Sequence, residues 1–594
     1  MNPTQVYKRF HIWRMRHFSE HTYLLVISAL VGIISGLAAV LLKTLVHLTN
    51  QWVMNGSHST LLNANIMTLI YPAVGILLTI LFVKYAIKRP IGHGIPHVLF
   101  AISRKKSQLP SSNMYSSLIA STLTVAFGGS VGLEAPIVST GSAIGSNLGR
   151  FFRISRQGLT ILLGCGAAGA IAGIFKAPLA GVMFTIEVLM LDLTFTTSIP
   201  LLISALCAST ISYFLMGSDV LFIFEVKELF DLNQIPFYIV LGIFCAFASV
   251  YFLRMSDKIE SWFSRQSNWV NRWIIGSAAL GFMIFLFPPL FGEGYWALSE
   301  LLHGNSASLF EHSIVSSLNT SPWAVLVILI LLILLKVVAT ATTIGCGGVG
   351  GTFGPSLVMG GLCGYFVAML SNQLGLPEQS TANFALVGMA ALITGVMQAP
   401  LMGVFLIAEI TGGYELMIPL LLTSTVTSIC VHPFERHSIY ARKLAEKGDL
   451  LTHDKDSSAW QLLDLKKLVE TDVSVIQQGN TLRQLVETIK TSSRNIFPVI
   501  TNDNRFVGII VLDDIRSLIF EPDHYDSYTV DQLMRPHSDD DCVRDSDSLT
   551  EVVNKFKISD RYNLIVLDEK GYYQGCLSRA NTFSAYRRFV SETI

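Results

Sequence analysis

Six stretches of this chain, Tyr23–Leu42, Ile66–Val83, Phe237–Leu253, Trp273–Leu290, Trp323–Val338 and Leu416–Val431, are apolar enough to cross roughly 30 Å of hydrocarbon. No water reaches the peptide groups there, so such a segment must be a helix or part of a closed barrel. Between these runs lie apolar segments broken by Gly and Pro, too short or too interrupted for simple spans. Backbone of that kind survives at membrane depth only inside protein or along a watery cavity, so the pattern predicts a folded transport core and not a plain anchor.

Charge divides the chain. It is 51% apolar and 14% charged, against about 25% charged in an average soluble domain. Charges are sparse up to Val431 and dense from Glu435, which predicts a membrane part over 1–445 and an aqueous tail over 446–594. The 42 basic and 42 acidic residues leave none of the basic excess that a nucleic-acid partner requires. Lys8, Arg9, Arg14 and Arg16 precede the first span, and no small-residue cleavage site follows it. That reads as a cytoplasmic end with an uncleaved span. The eight cysteines are scattered singly with no C-x-x-C pair, the pattern of buried small apolar residues and not of a metal or disulfide framework.

The chain also repeats itself. Gly173, Ala177, Pro178, Gly181 and Glu187 match Gly395, Ala399, Pro400, Gly403 and Glu409, each pair 222 positions apart. Upstream, Pro136, Gly141 and Gly145 match Pro355, Gly360 and Gly364 at a spacing of 219. Each half therefore has a Gly/Pro turn, a glycine-spaced helix, a loop, and an Ala-Pro helix ending in glutamate. Membrane transporters built from such repeats place their sites at the ends of broken helices from both halves. The turns, Gly132-Leu133-Glu134-Ala135-Pro136 and Gly350-Gly351-Thr352-Phe353-Gly354-Pro355, each lead into a helix whose first free N–H groups carry about half a positive charge. Two such ends aimed at one point bind an anion without a fixed basic residue. Glu187 and Glu409, each closing an Ala-Pro helix, are expected to form structural hydrogen bonds.

These turns resemble the signature motifs of the CLC chloride channels and transporters. Gly92-His93-Gly94-Ile95-Pro96 is similar to G-S-G-I-P, Gly132–Pro136 to G-R/K-E-G-P, Gly351–Pro355 to G-x-F-x-P, and Tyr440 to the pore tyrosine. The resemblance covers about residues 10–445 and the tail beyond. It implies an all-α polytopic membrane protein, an inverted two-fold repeat of broken helices with about eighteen helices in all. It implies a homodimer in the bilayer with one pore per subunit, and a small inorganic anion, chloride, as the transported ligand with no required cofactor. By the same resemblance Glu134 is the gating glutamate, a tethered anion competing for the helix ends. His93, Gly94, Ile95, Thr352, Phe353 and Tyr440 are the anion-binding residues. A bacterial inner membrane with cytoplasmic termini is the expected setting.

Three positions depart from the family pattern. His93 replaces a serine, which leaves chloride, nitrate and fluoride open. Leu133 and Ala135 replace a basic residue and a glycine around Glu134. Val188 stands where proton-coupled members commonly carry a second glutamate, and valine cannot relay a proton. Val188 therefore favours a passive gated chloride channel, with a chloride/proton antiporter as the alternative. A cation transporter would need acidic residues in the spans. The Gly-x-Ser-x-Gly string at Gly128–Gly132 lacks a hydrolase's strand–turn–helix setting and reads as a pore turn.

From about Asp456 the pattern changes to an α/β unit in two related halves. Asn495–Ile500 and Phe506–Val511 are predicted strands, with Asp513-Asp514-Ile515 opening a helix, and Asn563–Leu567 and Tyr573–Ser578 repeat the strands. This resembles a tandem CBS-domain pair, which implies an adenine nucleotide or a dimer interface. Asp514 and Ser578 are the nucleotide-binding candidates, each half of the usual Ser/Thr and Asp pairing being incomplete.

Overall fold

The computed structural model describes residues 19–55, 61–88, 94–217, 230–303, 321–446, 460, 463, 465–559 and 561–593. The basic N-terminal residues Lys8 to Arg16, Gly92, His93 and Asp456 lie outside the described residues. Contacts divide the chain into two units, Met1–Leu450 and Leu451–Ile594.

The first unit is helical, with seventeen α-helices among its described residues. Helices α1 (Glu20–Asn55), α2 (Leu61–Leu81), α3 (Ile95–Arg104) and α4 (Asn113–Ala126) lead into a first repeat. That repeat is α5 (Glu134–Phe151), α6 (Arg156–Phe175), α7 (Pro178–Glu187) and α8 (Phe195–Met216). Helices α9 (Ile235–Ser264), α10 (Trp269–Leu286), α11 (Tyr295–Leu302) and α12 (Pro322–Gly345) lead into a second. It comprises α13 (Phe353–Gln373), α14 (Thr381–Met397), α15 (Pro400–Ile410) and α16 (Met417–Val431), and α17 (Arg442–Glu446) follows. Among the described residues, eight helices are long and apolar enough to cross a membrane. Two predicted spans differ from their helices, the first being displaced four residues toward the N-terminus at unchanged length and the last being one residue shorter. The run from Trp273 stops as a helix at Leu286, because Pro288 and Pro289 turn the chain into a short 3₁₀ segment. The last span is a helix of 15 residues.

The repeat is physical. Helix α5 packs on α6 as α13 packs on α14, and α1, α6 and α8 form a trio matched by α9, α14 and α16. The glycine spacing explains the close approach. A Cβ on Gly141 would stand 2.2 Å from the Gly166 carbonyl oxygen, and one on Gly360 would stand 2.4 Å from that of Gly388. Likewise Gly145 would meet the Leu162 oxygen at 1.9 Å, and Gly364 the Phe384 oxygen at 1.8 Å. Both long helices end on a left-handed residue, Lys176 at φ 57° and Gln398 at φ 54°, which turns the chain directly into the Ala-Pro helix.

Glu187 and Glu409 join the halves. Glu409 accepts from the Leu179 and Ala180 N–H groups at 3.0 and 2.9 Å, at the start of α7. Glu187 accepts from Leu401 and Met402 at 3.0 and 2.8 Å, at the start of α15. Each carboxylate thus caps the other half's Ala-Pro helix, meeting N–H groups that have no partner within that helix. Beyond the second repeat, Glu435 accepts from Arg254 at 2.8 Å and pairs with Arg442, tying α17 to α9.

The second unit repeats a β-α-β-β pattern. In its first half β1 (Ile476–Gln477) runs parallel to β2 (Ile496–Ile500), which pairs antiparallel with β3 (Phe506–Val511), with β4 (Arg535–Pro536) at the edge. The second half has β5 (Cys542–Arg544), β6 (Asn563–Leu567) and β7 (Tyr573–Ser578) in the same arrangement. Helix α18 (Leu482–Thr491) follows β1, and α19 (Val530–Leu533) precedes β4. In the second half α20 (Leu549–Ser559) follows β5, and α21 (Arg579–Thr593) follows β7. Both hairpins carry the same register shift, at Val499/Ile500 and at Val566/Leu567. The hairpin turns also exchange bonds: Tyr573 N–H donates to the Asn504 oxygen at 3.0 Å and Phe506 N–H to that of Gly571 at 3.4 Å. Asp513-Asp514-Ile515 does not open an α-helix. The segment is a single 3₁₀ turn, Leu512–Ile515, because the Asp514 side chain is drawn to Arg535 in the neighbouring strand at 2.6 and 2.7 Å.

Two stability experiments follow. Gly364→Val drives a side chain into the Phe384 carbonyl, so its melting temperature in detergent should fall by at least the several degrees that about 1–3 kcal/mol of overpacking implies. Gly413→Ala, with nothing within 4 Å, should melt like the parent protein. Glu409→Ala removes two caps from α7 and should cost about 1–2 kcal/mol, with Glu409→Gln losing less because its amide oxygen still accepts. Equal melting temperatures for all three glutamate-series proteins would show that the caps carry no stability.

Candidate anion-binding site

The two predicted turns meet. Gly132 N–H donates to the Gly351 oxygen at 2.8 Å, and Gly351 N–H returns a bond to the Gly132 oxygen at 2.7 Å. These glycines occupy equivalent places in the two halves, so the bridge lies on the repeat's own symmetry element. It needs glycine, since a Cβ on Gly351 would stand 2.8 Å from that of Ala135. The consequence is that α5 and α13 begin side by side, each with its free N–H groups toward the same place.

Glu134 opens α5 and crosses to α13. Its carboxylate is 1% exposed. One oxygen accepts from the Gly354 N–H at 3.2 Å, the other from the Tyr295 hydroxyl at 2.6 Å. Of the N–H groups expected from the turn at Thr352 and Phe353, the one that reaches Glu134 is the next along, Gly354. A side chain on Gly354 would meet that carboxylate and the Tyr295 hydroxyl at 3.2 and 3.1 Å, so the glycine keeps the space open. Thr352 and Tyr440 lie together, the Thr352 hydroxyl donating to that of Tyr440 at 3.4 Å, and both are buried. Phe353 is fully buried with its ring 5.6 Å from that of Phe175, at the end of α6.

The first motif contributes through Gly94 and Ile95. Gly94, at φ 57°, sits where a Cβ would be 2.9 Å from that of Ala135, so the start of α3 lies against the first turn of α5. Ile95 is buried there. His93 lies outside the described residues. Near these helix starts a cavity of about 510 Å³ is lined by Gly94, Pro136 and Gly350, and by Lys84, Arg272 and Lys443 against Glu260. Three cations to one anion give its mouth a positive potential that favours anions.

Val188 directly follows α7 as its C-cap, buried, its N–H donating to the Phe184 oxygen at 2.9 Å. The nucleotide candidates fall in different halves of the second unit. Asp514 is held by Arg535, and Ser578 closes β7 opposite Asn563.

Three important residues escaped the sequence reading. Lys336 of α12 is 1% exposed, and its ammonium donates to the Ser130 hydroxyl at 3.0 Å and the Gly292 oxygen at 3.1 Å. The helix ends are therefore accompanied by a buried basic residue, although two such ends do not need one to attract an anion. Ser130 belongs to the Gly-x-Ser-x-Gly string, which is a turn of this site. Glu293 accepts from the Leu133 N–H at 3.2 Å, one residue before Glu134. Tyr295, two residues further on, supplies the shortest hydrogen bond to Glu134. One signal was present: Lys336 is the single charge in the run Trp323–Val338, and an ionisable residue within a span marks a functional position.

Comparison with known proteins agrees with this geometry. The family model described as voltage gated chloride channel matches residues 74–432, and that of the CBS domain matches 465–521. A ClcB-like chloride channel protein of Ralstonia nicotianae is 28% identical over 72% of this chain and 97% of its own length. The H(+)/Cl(-) exchange transporter ClcA of Vibrio vulnificus is 26% identical over 72% of this chain and 91% of its own. Among solved structures, a slow cyanobacterial Cl-/H+ antiporter superposes with a TM-score of 0.59 at 25% identity, covering 71% of this chain and 97% of that one. With paired helix N-termini, a carboxylate between them and a matching family model over most of the membrane unit, the chain belongs to the CLC family of multi-pass membrane proteins of chloride transport.

Proposed function

We propose that this chain exchanges chloride for protons across the membrane, with Glu134 as the acid that both ions meet. The observation that carries the reading is the position of the Glu134 carboxylate, buried on the Gly354 N–H between the starts of α5 and α13. A carboxylate and a chloride compete for the same N–H groups, so one leaves as the other arrives. Protonation removes the carboxylate's charge and weakens its hold, which makes proton uptake the natural partner of anion entry. Tyr295 steadies the closed arrangement, and the buried Thr352 and Tyr440 hydroxyls, with Gly94, Ile95 and Phe353 at the helix starts, would surround the anion one step further in. The similarity to an exchange transporter and an antiporter supports coupling. Pairing of two copies, each with its own pore, is part of the same proposal and rests on the motifs alone.

A second reading is a passive gated channel. Val188 favours it, since the buried valine at the end of α7 offers no proton a place to stop. Exchange then requires water to deliver protons to Glu134 without that residue.

Liposomes loaded with chloride, with valinomycin setting the potential, separate the two. Exchange predicts that external pH rises as chloride leaves, and that Glu134→Gln cuts proton movement at least about tenfold while chloride still passes. Chloride efflux with proton movement no greater than in empty liposomes would establish the channel reading. Chloride flux and proton movement both unaltered by Glu134→Gln would remove Glu134 from its assigned role.

A further inference from the structure

Glu134 is not the only acid at the start of α5. The loop Gly292–Gly294 arrives from the end of α10 with its glycines at φ 60° and φ 91°, a left-handed backbone that side chains resist, and presents Glu293 between them. Its carboxylate accepts the Leu133 N–H at 3.2 Å. Leu133 is the N-cap of α5, so this is one of the free N–H groups that make the helix start attractive to anions. The loop is fastened from the opposite side. Lys336 donates to its Gly292 oxygen at 3.1 Å while holding Ser130 at 3.0 Å, and Gly292 N–H donates to the Gly128 oxygen at 3.3 Å. Two residues on, the same strand of chain places the Tyr295 hydroxyl on Glu134. One buried lysine therefore anchors a loop whose acid caps the gate helix and whose tyrosine holds the gate.

We propose that Glu293 is a second tethered anion at this pore, a positioning residue that, while ionised, keeps the first turn of α5 occupied and the Glu134 arrangement closed, and that releases the helix start when protonated. The proposal rests on the reading of Glu134 as the gate. A carboxylate on a helix N-terminus is the same competitor for anions as Glu134, reached from a different loop. The charged and titratable groups sharing its field are Glu134 of α5, Lys43 of α1, Lys336 of α12 and, on the loop's own continuation, Tyr295.

Two acids give two titrations, and removing one leaves the other. Chloride flux is measured in liposomes from about pH 4.5 to about pH 9 for Glu134→Gln, Glu293→Gln and the double variant, a window wide enough for carboxylates that the fold removes from water. Glutamine at 293 keeps an oxygen for the Leu133 N–H, so loss of fold is not expected, and size-exclusion profiles check it. The proposal predicts that Glu134→Gln still speeds up on acidification, by roughly fivefold, and that the double variant varies by less than about twofold. Lys336→Met, which frees the loop, should flatten the Glu134→Gln profile as Glu293→Gln does. A Glu134→Gln protein already flat with pH overturns the role of Glu293 and leaves that of Glu134 intact. A Glu134→Gln protein matching the parent in flux and proton movement would instead overturn the gate reading itself.

Discussion

Everything at the site depends on the pair of backbone hydrogen bonds between Gly132 and Gly351. These residues stand at equivalent points of the two halves, and their bridge forces two helices from opposite halves to start at one place. No side chain could make that contact so close, because each residue lies against the opposite turn's backbone or first helical residue. The helices then cannot satisfy their leading N–H groups from within, and the surrounding protein excludes water. A region of positive potential at membrane depth is the direct result. The helix ends' share of it costs little desolvation, because it comes from backbone dipoles and not from a buried full charge.

The outer packing makes that bridge possible. Gly141, Gly145, Gly360 and Gly364 bring α5 onto α6 and α13 onto α14 backbone to backbone, so the N-termini are held by contacts that cannot slide. Glu187 and Glu409 close the two Ala-Pro helices across the symmetry axis. The same carboxylate chemistry therefore serves two purposes. Where the carboxylate bonds to two N–H groups of a helix with no anion path, it is structural. Where it lies between two helix starts, as Glu134 does, it stands on the N–H groups that the proposed anion would take.

Much of this was legible in the sequence because symmetry leaves a record. Glycines spaced alike in two halves, and Ala-Pro helices ending in glutamate, identify equivalent backbone positions before any contact is known. The tail's strands were legible for a similar reason, each hairpin repeating the same pattern of apolar residues around a turn. What was not legible was the loop Gly292–Tyr295. It has no counterpart in the repeat, and its partners Leu133 and Glu134 lie about 160 positions upstream. Lys336 was hidden differently. Its charge is conspicuous in an apolar helix, but only the fold shows that it points to Ser130 and Gly292. Asp514 failed as a helix opener because a distant arginine, Arg535, outcompeted the local backbone for its carboxylate.

The buried lysine changes the electrostatic account of the site. Counting about half a charge for each of the two helix starts and one for Lys336, the positive side is matched almost fully by Glu134 and Glu293 when both are ionised. A site near neutrality has little attraction for a further anion. Neutralising either acid leaves a surplus of about one positive charge, the amount that a single chloride offsets. In the exchange we propose, proton and anion are linked by charge balance and not by any direct contact between them. Helix ends alone would hold a weak anion site that is always open. The lysine offsets the two acids, and in the exchange we propose those acids make occupancy by chloride conditional on a proton.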